Sequence, residues 1–387
     1  MRAILWVSVL AAIPAVPSVG QATRPAAPAA ERPGGEPVDV SDFYDAIAHY
    51  QMNLETLDYV QYAPDEVAAI ADNLLLWQTE AGGWPKDEDW LRVLSPQEAS
   101  ALREDGPDAP PTLDNRSTWS HIQYLAEAHQ HTGDERYAQA ALRGIDWVLA
   151  TQNRAGGWDG GRPDMIAYND DVMVGATRLM GRVGSMAPPF DFVDGRRGHL
   201  ARMAYSRAMN AILQTQVRVD GQRTAWGQQH SVDTLEPIWA RTFEPPAISG
   251  RESVDVVRYL MTIEQPSPAV IAAVQGAVAW FDRAKLEGLR LVERQTDPEF
   301  YRHHISRFDR VLVEDPDGPP LWARYYSLED GVTPLWPDRD RQMRASYNDI
   351  SRERRTGYAY VGRWPAALLA EEYAAWRERV GEAGVAE

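Results

Sequence analysis

The chain of 387 residues has no cysteine, and of its 39 basic side chains only two, Lys86 and Lys285, are lysines. Without cysteine the fold rests on packing, or on a bound ion, rather than on disulfides. A basic balance is missing as well. The 56 acidic residues bring the formal charge to −17, which removes the general positive field of a nucleic-acid-binding protein and excludes nucleic acid as a partner. Common catalytic signatures are absent: there is no G-x-S-x-G elbow, no Walker loop and no dinucleotide fingerprint. His121, His129 and His131 lack the H-E-x-x-H spacing of a helical zinc site. Few runs alternate with period two, so short strands are expected only near 223–228 and 358–361.

Long apolar runs are also lacking. The one at the start, Ala3 to about Val16, follows Arg2 and precedes the small residues Ser18, Gly20 and Ala22. That is the layout of a signal peptide over 1–22, too short to span a membrane, and it implies export to the periplasm or the medium with no membrane attachment afterwards. Residues 23–37, TRPAAPAAERPGGEP, read as a linker, and 38–387 as one catalytic domain, expected to act as a monomer.

What the domain does contain is helical periodicity. Tyr137, Ala141, Ile145 and Val148 recur on one face of a helix over 134–152, with Asp134 in the capping position after Gly133. The same pattern predicts helices over 117–131, 171–180, 196–215, 253–262, 267–283 and 365–380. A weak repeat overlies them: LLLWQTEAGGW (74–84), WVLATQNRAGGW (147–158) and ILQTQVRVDGQRTAW (212–226) each join a helix end, a glutamine, a glycine turn and a tryptophan. The spacing of Gln78, Gln152 and Gln216 suits two helices per repeat, and stacked helical pairs closing into a toroid would produce it. The tryptophans are either packing anchors or, for Trp84 and Trp158, sugar platforms at the mouth of the toroid.

Polar groups embedded in this apolar context mark the candidate site. Thr112-Leu113-Asp114-Asn115 opens a helix and reads equally as a cap. Tyr168-Asn169-Asp170-Asp171 opens another, and its adjacent carboxylates suit a hard cation better than a plain cap; Asp114 with Asp170 or Asp171 is a plausible calcium site. The stretch 224–250 is a long irregular loop holding His230, Asp233, Glu236, Arg241 and Glu244. Trp322-Ala323-Arg324-Tyr325-Tyr326 and Arg354-Arg355-Thr356-Gly357-Tyr358 interleave aromatics with arginines, which suits sugar faces and carboxylates or, equally, a solvated surface of ion pairs.

In order, TLDNRSTWSHIQYLAEAHQHTGDERYAQAALRGIDWVLATQNRAGGW, AYNDDVMVGATRLM, TAWGQQHSVDTLEPIWARTFEPPAISGRESVDVVRYLM and RRTGYAYVGRWP resemble the family 10 polysaccharide lyases, which are pectate lyases. The resemblance covers about Asp72 to Ala370. It implies an all-α fold, an (α/α)3 toroid with long irregular loops, and calcium-assisted β-elimination of polygalacturonate. It implies Arg241, in WARTFEPP, as the base that removes the C5 proton, Asp114 as an active-site aspartate, and Asp170 with Asp171 as the calcium-binding positions. Arg324, with Asn115, His230, Tyr325, Trp84 and Trp158, then falls among substrate contacts. The chain departs from the family pattern in a shorter segment after Trp158, in Ser231, and in Arg116 and Trp119 near Asp114. Three other readings stay open: a toroidal glycoside hydrolase using Asp114 and Asp170 as an acid–base pair, a non-catalytic pectin-binding homologue, and a terpene-cyclase-like toroid suggested by the glutamine–tryptophan repeats.

Overall fold

The computed structural model describes residues 37–52, 54 and 56–383. The expected signal peptide, 1–22, and all but the last residue of the linker lie outside them. Among the described residues the α-helices are α1 (Tyr44–Met52), α2 (Val67–Trp77), α3 (Pro96–Asp105), α4 (Trp119–Thr132), α5 (Glu135–Thr151), α6 (Val172–Ser185), α7 (Gly195–Thr215), α8 (Glu252–Met261), α9 (Pro268–Arg283), α10 (Arg352–Gly357) and α11 (Tyr373–Ala383). The fold is mostly helical. None of these helices is long and apolar enough to cross a membrane.

Local chemistry sets the helix ends. Asp134 caps α5 by accepting from the Arg136 amide at 2.9 Å, while Gly133, at φ 72°, ends α4 with its amide on the His129 carbonyl. Ser267 and Pro268 open α9 in the same spirit. The apolar faces then bury against one another: α4 with α5, α6 with α7 and α8 with α9 form three helix hairpins. Contacts run from α4 to α6 to α8 in one layer and from α5 to α7 to α9 in the other, with α2 against α4 and α5. Ile122, Leu125, Ile145, Val148, Met173, Ile212, Leu260 and Val274 are all sealed between the layers.

The repeat is a stitch between neighbouring hairpins. Gln78 Nε2 donates to the Gly82 carbonyl at 2.7 Å, across its own turn, and to Ala140 of α5 at 2.8 Å. Gln152 does the same to Gly156 and to Ala204 of α7, and Gln216 to Thr224 and Ala273 of α9. Each amide oxygen in turn accepts from an arginine: Arg143, Arg207 and Arg223 respectively. A Cβ on Gly82 or Gly156 would lie 2.6 Å from a carbonyl of the next helix, and both glycines have positive φ, so the turn tolerates no side chain. The tryptophan beyond each turn folds back onto the helix it follows: Trp84, Trp158 and Trp226 donate to the carbonyls of Leu74, Val148 and Ile212.

Strands are short, apart from one antiparallel hairpin of Leu289–Phe300 with Ile305–Glu314. Of the two stretches where strands were expected, each overlaps a short pair only at its edge, at Arg223 of Gln222–Arg223 and at Val361 of Val361–Gly362. The helix expected over 365–380 is present from Ala366 onward, with a π-helical stretch, Leu368–Glu372, inside it ahead of α11.

Replacing Gln216 by Ala takes the side-chain donor from the Thr224 carbonyl and the second donor from the mid-helix Ala273 carbonyl, and leaves Arg223 without its acceptor; the cost should be roughly 1–3 kcal/mol, read as a lower urea midpoint. Gln78→Ala, at a half-exposed position, should cost less. Equal, small effects of both would show that the stitch is not a stabilising element.

Candidate active site

A cleft of about 620 Å³ opens where α4, α6 and α8 begin. The starts of α4, α6 and α8 supply Asp114 and Asn115, Asn169 and Asp170, and Arg251 to its lining. The partial positive charge of helix N-termini therefore points into it. The loops beyond the repeat tryptophans supply the rest of the floor: Lys86 and Asp87 after Trp84, Asp159 and Gly160 after Trp158, Gln229 after Trp226.

The turns ahead of α4 and α6 are strained in the same way. Asn115, Arg116 and Thr118 have φ of 50°, 60° and 57°, and Asp170 and Asp171 have φ of 52° and 57°. Non-glycine residues in the left-handed region cost about 1–3 kcal/mol each and persist where the surroundings demand them; Asn and Asp bear the conformation best. The two turns pack on each other and bring the Asp114 and Asp170 carboxylates into contact. Burial and Asp170 push the Asp114 carboxyl up to about 6 against the pull of Lys86, which donates to it. Asp170 is buried, which works against its charge, but Arg251, Arg324 and a hydrogen bond from Asn169 hold it below the usual carboxylate range. One member of the pair thus stays ionised and the other binds a proton readily.

Across the cleft stand arginines. Arg241 donates through Nε to Glu244 Oε1 at 2.8 Å, and its own amide donates to Glu244 Oε2 at 2.9 Å. Glu244, 1% exposed, also accepts from Gln228 at 3.0 Å and from Tyr358 at 3.1 Å. Arg241, Arg339 and Arg354 lie 5.1, 5.3 and 4.5 Å from the Phe243 ring centre, and Arg324 lies 4.1 Å from that of Tyr358. Glu252 anchors Arg324, and Glu353 anchors Arg339 and Arg354. Burial lowers the proton affinity of Arg241, yet Tyr358 and Glu244 outweigh it and hold the guanidinium firmly charged. With Arg162, Arg251 and Lys86, seven basic groups line the cleft against six carboxylates, so the local balance is positive in a chain of charge −17.

The sequence-derived residues divide. Asp114, Asn115, Asp170, Arg241 and Arg324 all line the cleft. Asp171 does not: the left-handed turn sends it to Arg116, 2.5 Å away, which also holds Asp42. Trp84 and Trp158 are wholly buried with their indole N–H groups bonded to helix ends, so they are packing anchors and not sugar platforms. His230 is buried too. In the antiparallel pair of Met165–Ala167 with Gln229–Ser231, residues alternate: Met165, Ala167 and Gln229 face the cleft while His230, opposite Ile166, faces away. Its Nε2 accepts from the Gly227 amide and its Nδ1 donates to Leu235, and burial lowers it to about 4, keeping it neutral. Tyr325 is likewise buried behind the wall, its hydroxyl 2.7 Å from that of Tyr358, the tyrosine that does line the cleft. Sequence reasoning missed Lys86, Gln229 and Arg251. For Lys86 and Gln229 the signal was present, one to three residues past each repeat tryptophan.

The family model for pectic acid lyase matches residues 78–369. No curated protein matches the chain. Among solved structures, a family 10 polysaccharide lyase from Cellvibrio cellulosa is 24% identical with a TM-score of 0.65, covering 90% of this chain and 99% of its own. An aspartate-to-alanine mutant of a family 10 polysaccharide lyase from the same organism, in complex with trigalacturonic acid, gives 24% identity and the same TM-score over 88% of this chain and 99% of its own. These likenesses establish the shared fold, and the match over 78–369 establishes that the chain belongs to the pectic acid lyase family, a family of pectate lyases.

Proposed function

We propose that the chain is an exported, monomeric enzyme, its three helix hairpins forming an (α/α)3 toroid, that cleaves α-1,4-polygalacturonate by calcium-assisted β-elimination and leaves 4,5-unsaturated ends. The observation that carries this reading is the juxtaposition of the Asp114–Asp170 pair with anchored arginines in one cleft of a pectic acid lyase family member. The neighbour crystallised with trigalacturonic acid supports an oligogalacturonate as the ligand.

The donor set fits calcium. Two carboxylates in contact repel, Lys86 pairs with Asp114 alone, and Gln229 Oε1, whose residue lines the same cleft, is a buried acceptor with no donor among the described residues. Asp114, Asp170 and the Gln229 amide oxygen are hard oxygen ligands that would hold it. Bound there, calcium supplies positive charge against the negative charge that develops on the substrate carboxylate. Arg324, fixed by Glu252, is preorganised to receive the same carboxylate, and Glu244 orients Arg241. Arg241 takes the C5 proton: the C5–H bond breaks, its electron pair forms the C4–C5 double bond, and the C4–O bond releases its pair to the departing oxygen, which is protonated from solvent. A neutral guanidine is needed for this. Glu244 opposes it, the neighbouring cations Arg324 and Arg339 favour it, and activity therefore rises with pH. Contact between Asp114 and Asp170 speaks against the hydrolase reading, because paired hydrolase carboxylates stand about 5–9.5 Å apart.

Purified protein incubated with polygalacturonate should generate ultraviolet-absorbing unsaturated products at alkaline pH with calcium and far fewer with chelator; no calcium-dependent rise would refute the reading. Arg241→Ala should abolish turnover while retaining the circular dichroism spectrum and trigalacturonate binding. Unchanged turnover would remove Arg241 from the mechanism.

Asp114 generates a separate expectation. Its pKa is raised on folding, so its ionisation disfavours the folded state: stability falls as pH rises from about 4 to about 6 and stays lower above that. In chelator, Asp114→Asn should therefore stabilise the protein at pH 8, by on the order of 1–3 kcal/mol, with the gain vanishing near pH 4. A destabilised variant at pH 8 would contradict the assigned repulsion.

A further inference from the structure

Five of the six arginines lining the cleft are committed to protein partners. Arg241 is held by Glu244, Arg324 by Glu252, Arg339 and Arg354 by Glu353, and Arg162 by the Ala240 carbonyl. The sixth is Arg251. Its guanidinium makes no hydrogen bond or ion pair among the described residues, although its charge acts on Asp170, Asp45 and Asp255. It is half-buried, lies directly before α8, and is followed by Glu252, the carboxylate that fixes Arg324. Arg324 itself carries a buried Nε with no acceptor among the described residues. Arg251 and Arg324 are also the two strongest cationic influences on Asp170. A guanidinium with five unused donors, in the same cleft as Arg324 and acting with it on Asp170, is a seat for one more carboxylate.

We propose that Arg251 binds a galacturonate carboxylate beside Asp170, as the second arm of a seat shared with Arg324. This makes Arg251 a determinant of the preference for acidic over methyl-esterified sugars, and it rests on the function proposed above. A carboxylate accepts paired N–H donors from a guanidinium, whereas a methyl ester carries no charge and accepts weakly, so the contribution of Arg251 depends on a free acid at that position. The alternative role for Arg251 is a counter-ion that merely keeps Asp170 charged, with no contact to the sugar.

Arg251→Ala and Arg251→Lys are to be compared with the wild type at saturating calcium on polygalacturonate and on highly methyl-esterified pectin, with calorimetry of trigalacturonate as a readout independent of turnover. The seat predicts a KM for polygalacturonate about 10- to 100-fold higher in Arg251→Ala, partial recovery in Arg251→Lys, a matching loss of trigalacturonate affinity, and a KM on esterified pectin within about twofold of wild type by the same reasoning. An unchanged KM and trigalacturonate affinity overturn the proposal, as does a variant whose defect is confined to the calcium concentration needed for half activity. Wild-type protein that neither cleaves polygalacturonate nor binds trigalacturonate would instead remove the functional reading, so the two failures are told apart by the wild type alone.

Discussion

Two carboxylates pressed together at the head of two parallel tasks, starting a helix and lining a cleft, are the constraint from which the rest of this site follows. Asp114 and Asp170 meet because the turns before α4 and α6 both adopt left-handed backbone and pack on one another. Neither the strain nor the repulsion is a stabilising choice, and both would be relieved by a glycine or an amide. Their persistence in a chain where α3, α5, α7 and α9 start with ordinary side-chain caps identifies the place where stability has been given up for chemistry. The surrounding fold is arranged to bear this. Three glutamine stitches bind the helix hairpins to one another at the turns that also send Lys86, Gly160 and Gln229 into the cleft.

Charge is organised on the same principle. A formal charge of −17 would repel a polyuronate, yet the cleft collects arginines around Phe243 and Tyr358. Packing guanidinium groups so closely requires counter-charges, and Glu244 in the lining, with Glu252 and Glu353 behind it, provides them. The pairing has a consequence for proton chemistry: the carboxylate that orients Arg241 also keeps it protonated. An arginine base in this site is therefore a group whose proton affinity is set by competition between Glu244 on one side and the neighbouring cations on the other. Long-range field matters less than these few neighbours, which is how an acidic protein can hold an acidic polymer.

Much of this was legible in the sequence. Helical periodicity placed the helices from α4 to α9 to within a few residues, save α6, which runs on to Ser185, and the adjacent carboxylates of Asp170 and Asp171 marked a helix start that lines the cleft. What the sequence left open was direction. Whether Asp170 or Asp171 faces the cleft depends on a left-handed turn that composition does not announce, and the turn chose Asp170. His230 and Gln229 are neighbours in sequence, but strand alternation puts them on opposite faces of a two-stranded pair. The repeat tryptophans carried a platform reading because aromatic rings serve sugars well, whereas their indole N–H groups are used to close helix ends. Arg251 left no trace among so many arginines, since its significance is the absence of a partner and partners are visible only in three dimensions.

In the function proposed here the Asp114–Asp170 pair holds a cation that it shares with the anionic substrate. Calorimetric titration of calcium into the chelator-stripped protein, alone and with saturating trigalacturonate, tests this directly, with Asp170→Ala as the comparison. The account predicts one calcium site per chain that tightens when trigalacturonate is present and is lost in Asp170→Ala. Calcium binding of equal strength in wild type and Asp170→Ala, or binding indifferent to trigalacturonate, would contradict it.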